Sequence, residues 1–108
     1  LAKGAAIKQY RDGVVRNMLE YTHTLNIRGY EIPAINTPFF RSEIVGQLAA
    51  PSNVPFAAGY NFDGEMYGFS LRSTDEGVDV AKIAESFPGG GGHRNASGFG
   101  VKSLEELS

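Results

Sequence analysis

The sequence predicts an α/β domain: a mixed β-sheet of about five strands with helices packed on it. Three observations carry that expectation. Apolar and polar residues alternate with a period of two in several short stretches, as strands with one buried face require. Apolar residues recur at i, i+3, i+4 and i+7 in stretches between them, the pattern of a helix with one buried stripe. Turn chemistry separates the two kinds of stretch, giving the order αββαββαβ, and interleaved strands and helices imply a sheet covered by helices.

The elements follow in chain order. From Ala5 to Tyr21 the residues Ile7, Val14, Val15, Met18 and Leu19 keep helical spacing, with Gly13 as a weak point. Residues 22–28 and 30–36 read as a strand pair turning at Arg28-Gly29. Pro33 donates no hydrogen bond, so its strand is expected at a sheet edge, or with that position turned away from a ladder. Ser42 is the expected N-cap of a helix running to Ala50, with Ile44, Val45 and Leu48 on one side. Val54–Tyr60 and Glu65–Ser73 flank Asn61-Phe62-Asp63-Gly64, and Asp-Gly is a strong hairpin signal. In the second arm Met66, Gly68, Ser70 and Arg72 alternate with Tyr67, Phe69 and Leu71, which sets Arg72 opposite the apolar face. Asp79 is placed to cap a short helix whose stripe is Val80, Ile83, Ala84 and Phe87, and Pro88 ends it. Phe99–Lys102 is the last expected strand, and Ser103-Leu104-Glu105-Glu106 spells a capping box.

Composition narrows the functional classes. The 108 residues suffice for one modest core, and at 42% hydrophobic and 20% charged they are ordinary for a globular domain. No apolar run reaches the roughly 18–20 residues of a membrane span, and residues 1–20 mix charged with apolar positions unlike a secretory signal, so no membrane partner is expected. Without cysteine there are neither disulfides nor thiolate metal sites, which fits a cytoplasmic location. The net charge of −2 means that an anionic partner must be held by a local arrangement. The first residue is Leu, and we read the chain as a segment of a longer one.

The chemistry is concentrated in Phe87-Pro88-Gly89-Gly90-Gly91-Gly92-His93-Arg94-Asn95-Ala96-Ser97-Gly98. Consecutive glycines are costly to order, and they suit places where a backbone must come close to a ligand. Their successive N–H groups are expected to form an anion-binding concavity, with His93, Arg94 and Asn95 adding side-chain donors. Neither the P-loop spacing nor the dinucleotide fingerprint fits this run. A second candidate is Phe69-Ser70-Leu71-Arg72-Ser73-Thr74, where a guanidinium at a strand end is followed by two hydroxyls. The candidate phosphate-binding residues are therefore Arg72, Ser73, Gly90, Gly91, Gly92, His93, Arg94 and Asn95. Tyr60, Phe62 and Tyr67 are either a stacking surface for a base or part of the hairpin's packing. His23, on the apolar side of its strand, is expected to be a packed histidine.

Three linked segments resemble the DHH-associated C-terminal domain of DHH-family phosphoesterases. They are Ser70-Leu71-Arg72-Ser73, then Asp79-Val80-Ala81-Lys82-Ile83-Ala84, then Gly90-Gly91-Gly92-His93-Arg94-Asn95-Ala96-Ser97-Gly98. Arg94 and Ser97 stand where relatives often carry Pro or Ile and Ala. The resemblance implies residues 1–21 as a helical linker from an N-terminal DHH catalytic domain, and residues 22–108 as the substrate-binding domain. It implies a phosphorylated substrate: short RNA or a small nucleotide first, polyphosphate second. The parent would be a hydrolase using two manganese or magnesium ions in the catalytic domain, and a homodimer is possible for it. This stretch has only two histidines and four aspartates without metal-ligand spacing, so it is expected to bind without turning substrate over. The alternative is a non-catalytic nucleic-acid-binding module, such as the C-terminal domain of an alanyl-tRNA synthetase-like protein. The absence of a basic stripe speaks against that.

Overall fold

The computed structural model describes Gly13, residues 19–39 and residues 41–108. The expected first helix, 5–21, lies almost wholly outside the described residues. The described elements are strands β1 (His23–Ile27) and β2 (Tyr30–Asn36), helix α1 (Arg41–Ala49), and strands β3 (Ala57–Phe62) and β4 (Tyr67–Arg72). Helix α2 (Val80–Glu85), strands β5 (Gly91–His93) and β6 (Ala96–Val101), and a 3₁₀ turn at Leu104–Leu107 complete them. The six strands form one mixed sheet in the order β1-β2-β3-β4-β6-β5. Only β2 and β3 are parallel, as the helix between them requires, and every other pair is antiparallel.

Local chemistry explains the turns. Arg28 and Gly29 both have positive φ, 50° and 90°, so the β1–β2 hairpin closes through two left-handed residues, whose twist matches that of the strands. Counting outward from the Ile27–Tyr30 pair, alternation leaves Pro33 at a position that exchanges no hydrogen bonds with β1. The ladder to β3 starts only at Ala34. Pro33 is thus tolerated inside the sheet because its missing N–H is not called upon, and the edge strand is β1. At the β3–β4 hairpin the Asp63 carboxylate accepts from the backbone N–H groups of Glu65 and Met66, and Gly64 takes φ 107°. Asn61 and Phe62 belong to β3 and not to the turn.

The two helices cover opposite faces. On one, Val80, Ile83, Ala84 and Phe87 pack with Ile32, Ala34, Ala58, Tyr60, Phe69, Leu71, Phe99 and Val101 in the main core. There the rings of Phe87, Phe99, Phe69 and Tyr60 stack one on the next, with centroids 4.0, 5.0 and 4.9 Å apart. On the other, α1 buries Ile44 and Val45 against Ile35 and Ala57. Asp79 caps α2 by accepting from the Ala81 N–H, and the Ser103–Glu106 capping box is complete, although it opens a 3₁₀ turn and not an α-helix. Arg28 ties the first hairpin to the far end of the chain. Its guanidinium donates to Ser86 and to the carbonyls of Glu106 and Ser108, and lies 3.8 Å above the Phe87 ring.

The expected mixed sheet is present, and two of its details differ from the expectation. The sheet has six strands, because Gly91–His93 is a strand paired with β6 and not an open loop. The last strand begins at Ala96, so it is longer than Phe99–Lys102.

Candidate functional site

β4 divides its side chains between the two faces. Phe69 and Leu71 enter the main core, while Ser70 and Arg72 stand on the α1 face, as the period of two predicts. Pairing extends that face across the sheet. Arg72 lies beside Ala96 of β6, and Ala96 beside His93 of β5; Ser70, Gly98 and Gly91 form the next row. Arg72 and His93 are therefore on one face, in one row, two strand spacings apart, or about 10 Å between Cα atoms. The small Ala96 between them leaves room for a ligand. His93 is exposed, and its ring makes no hydrogen bond among the described residues.

Helix α1 supplies the wall of this surface. It begins at Arg41, one residue earlier than expected, which leaves Ser42 inside its first turn. The Ser42 hydroxyl accepts from Arg72 at 2.9 Å, drawing the guanidinium toward the helix. Arg41 reaches back over the sheet to the Ser70 hydroxyl at 3.3 Å and to the Asn61 side-chain carbonyl. Its stem crosses β3 at Gly59, where a Cβ would sit 2.8 Å from the Arg41 Cγ and 2.6 Å from Val45. Both guanidiniums are thus oriented by neutral hydroxyl and amide partners, and both keep free donors. No local pattern in the sequence marks Arg41, Asn61 or Ser42 as belonging to this surface. The β2–α1–β3 crossover brings Arg41 and Ser42 beside β4, and the β3–β4 hairpin brings Asn61 there. Ser70, within the segment already singled out, could have been found from its alternation with Arg72.

The glycines divide by task. Gly89 has φ 76° in the turn after α2. A Cβ on Gly90 would stand 2.0 Å from the Ala84 carbonyl oxygen, and one on Gly92 would stand 2.6 Å from Ser97. These two positions are held by packing within the fold. Gly91 is different: a Cβ there would meet nothing within 4 Å, and its row partners are Gly98 and Ser70. Of the run, Gly91 and His93 face the Arg72 surface.

The remaining candidates support the turn between β5 and β6. Arg94 donates to the carbonyls of Asp75 and Gly77, and the Val80 N–H donates to the Arg94 carbonyl. Ser73 donates its hydroxyl to the Arg94 carbonyl and accepts from the Asn95 amide. Ser73, Arg94 and Asn95 therefore hold the His93 hairpin against the end of β4.

The aromatic residues lie elsewhere. Tyr60, Phe62 and Tyr67 sit on the α2 face, across the sheet from Arg72, so they cannot stack a base held there. Burial, and to a lesser degree Tyr67, raise the Tyr60 pKa above its usual value. His23 is exposed overall, but its ring packs edge-on against Tyr60 with centroids 5.7 Å apart, and its Nε2 lies 2.8 Å from the Tyr60 hydroxyl. A cleft of about 340 Å³ lined by Met66, Phe87, Lys102 and Glu106 opens beside Arg28. It is remote from the Arg72–His93 row, and the Arg28 donors that border it are engaged in holding the chain's end. Charge and free donors favour the Arg72 surface over this cleft. Among the described residues no three His, Asp or Glu side chains cluster to hold a metal ion, and no helix is long and apolar enough to cross a membrane.

Comparison with known proteins bears on the family and the fold. Residues 41–108 match the DHHA1 domain model. An uncharacterized protein R106 of Acanthamoeba polyphaga mimivirus is 37% identical over 75 residues, 65% of this chain and 17% of that protein. The fold is shared with a pGpG-specific phosphodiesterase, PggH, of Vibrio cholerae (TM-score 0.60, 11% identity), over 93% of this chain and 37% of that one. It is shared also with an uncharacterized protein of Helicobacter pylori G27 (TM-score 0.56, 22% identity), over 75% of this chain and 24% of that one. The chain spans about a sixth of the curated relative it matches. It belongs to the DHHA1 family of DHH-associated domains.

Proposed function

We propose that this domain holds the phosphorylated end of the substrate of a DHH-family phosphoesterase. The observation that carries the reading is the row Arg72–Ala96–His93: a guanidinium and an imidazole facing one shallow surface floored by Gly91 and Gly98. A guanidinium presents paired N–H groups that match two phosphate oxygens. Ser42 fixes its direction before the ligand arrives, which reduces the freedom lost on binding. His93 donates an N–H to the same phosphate from the other side. Ser73, Arg94 and Asn95 act by holding the His93 turn in place.

Binding of this kind contributes position and electrostatics and leaves bond breaking to other groups. Hydrolysis belongs to a DHH domain of the parent protein, where two manganese or magnesium ions would be held. The favoured substrate is a short oligoribonucleotide or small nucleotide, because the surface is compact and the chain is acidic overall. The pGpG specificity of the Vibrio protein, a structural neighbour, agrees with that choice.

The test is an NMR titration with a 5′-phosphorylated dinucleotide and with its dephosphorylated twin. Phosphate-dependent shifts are expected at Arg72, Gly91 and His93. Equal shifts with both ligands, or none at these residues, would overturn the reading.

A further inference from the structure

Arg41 lies on the same surface as Arg72 but is anchored differently. Arg72 is drawn to Ser42, whereas Arg41 is clamped to Ser70 and Asn61 with its stem laid across Gly59. Ser70, which holds the Arg41 guanidinium, lies two residues before Arg72 on the same face of one strand, roughly 7 Å along it. One phosphate bound by Arg72 and His93 leaves Arg41 beside the next stretch of the ligand. The Arg41 bonds engage one donor on each terminal nitrogen, and the rest of the fork remains available. Holding a long cation this firmly against neutral partners, inside a chain of net charge −2, suits recognition of a second anionic group.

We infer that Arg41 is a specificity-determining residue that binds a second phosphate, so that the site selects ligands carrying two phosphate groups over those carrying one. The inference rests on the phosphate-binding role of Arg72 and extends it along the ligand. In a phosphorylated dinucleotide the second phosphate is the internucleotide diester; in a phosphate chain it is the neighbouring phosphoryl group.

The experiment uses the intact protein and its Arg41→Met variant, which keeps the aliphatic stem over Gly59 and removes the charge. Dissociation constants are measured for a 5′-phosphorylated dinucleotide, a 5′-mononucleotide and inorganic tripolyphosphate. Thermal melting confirms that the variant folds. Arg41→Met is expected to weaken the phosphorylated dinucleotide about ten- to hundredfold, the size of a charge-assisted hydrogen bond, and to change the mononucleotide less than about twofold. The slope of log affinity against log salt for the dinucleotide should fall by about one phosphate contact. A matching loss with tripolyphosphate assigns the second position to phosphate chains generally, and a loss confined to the dinucleotide assigns it to the nucleotide diester. Equal weakening of mono- and diphosphorylated ligands, or no weakening, overturns the inference while leaving the Arg72 site intact. If the unmodified protein binds none of the three, the phosphate-binding reading itself fails.

Discussion

The two faces of β4 are built to opposite rules although they share one backbone. On the α2 face Phe69 and Leu71 are almost fully buried among aromatic rings and the α2 stripe. On the α1 face Ser70 and Arg72 adjoin Gly98, Ala96, Gly91 and His93. Helix α1 covers β2, β3 and the near side of β4, and stops there. Glycine in a strand interior gives up packing and costs about 0.5–1 kcal/mol of conformational entropy relative to alanine. Such a surface does little for stability. The α2 face carries the larger core, and the strip of the α1 face beyond the helix is left open for the recognition proposed above.

Adjacent residues make the sharpest test of that division. Leu71→Ala is expected to destabilise the domain by about 2–5 kcal/mol, from lost burial and the cavity left behind. Arg72→Ala, one residue on, should change stability by no more than about 0.5 kcal/mol, because its partner Ser42 is exposed. It should weaken a phosphate-terminated ligand by about 1.5–3 kcal/mol. Urea unfolding and ligand titration of both variants check the pair. The comparison breaks if Arg72→Ala unfolds the domain, or if it binds ligand as tightly as the parent protein does.

Neighbouring glycines divide in the same way. Gly90→Ala pushes a methyl group into the Ala84 carbonyl, and the backbone must shift, at a cost of about 1–3 kcal/mol. Gly91→Ala places its methyl in open space and should alter stability by less than about 0.5 kcal/mol. On the ligand surface that methyl reduces room above the Ser70–Gly98 row, so ligand affinity should fall while the melting temperature holds. If both substitutions destabilise equally, the run is a packing device throughout.

These contrasts also show what could be read from the chain alone. The Asp63-Gly64 turn, the Asp79 cap and the Ser103 capping box were legible because each is decided by residues within four positions of one another. The face of Arg72 followed from alternation. The pairing of Gly91–His93 with β6 was not legible, since three residues containing two glycines carry no strand periodicity. The place of Pro33 inside the sheet depended on where the β3 ladder begins, a nonlocal fact. Arg41 was hidden for the same reason: its partners Asn61 and Ser70 lie 20 and 29 residues away. Side chains gathered by topology leave little trace in local spacing.

The smallest expected effect concerns the far end of β4, where stability again comes from local bonding without burial. The backbone N–H groups of Met66 and Glu65 hold the Asp63 carboxyl below its ordinary value of 3.8. With the folded value lower than the unfolded one, the unfolded chain takes up a proton first as pH falls. The stabilisation is therefore complete above the ordinary carboxylate value, and it is lost as pH drops through the folded value. Asp63→Ala should be slightly less stable than the parent at neutral pH, with the gap closing in acid, at pH values well below the ordinary 3.8. Because the carboxylate is fully exposed, salt and solvent keep this contribution small. Urea midpoints measured at neutral and acid pH decide the matter. A gap that stays constant with pH would mean that the hairpin depends on the shape of the Asp63-Gly64 turn and not on the charge of Asp63.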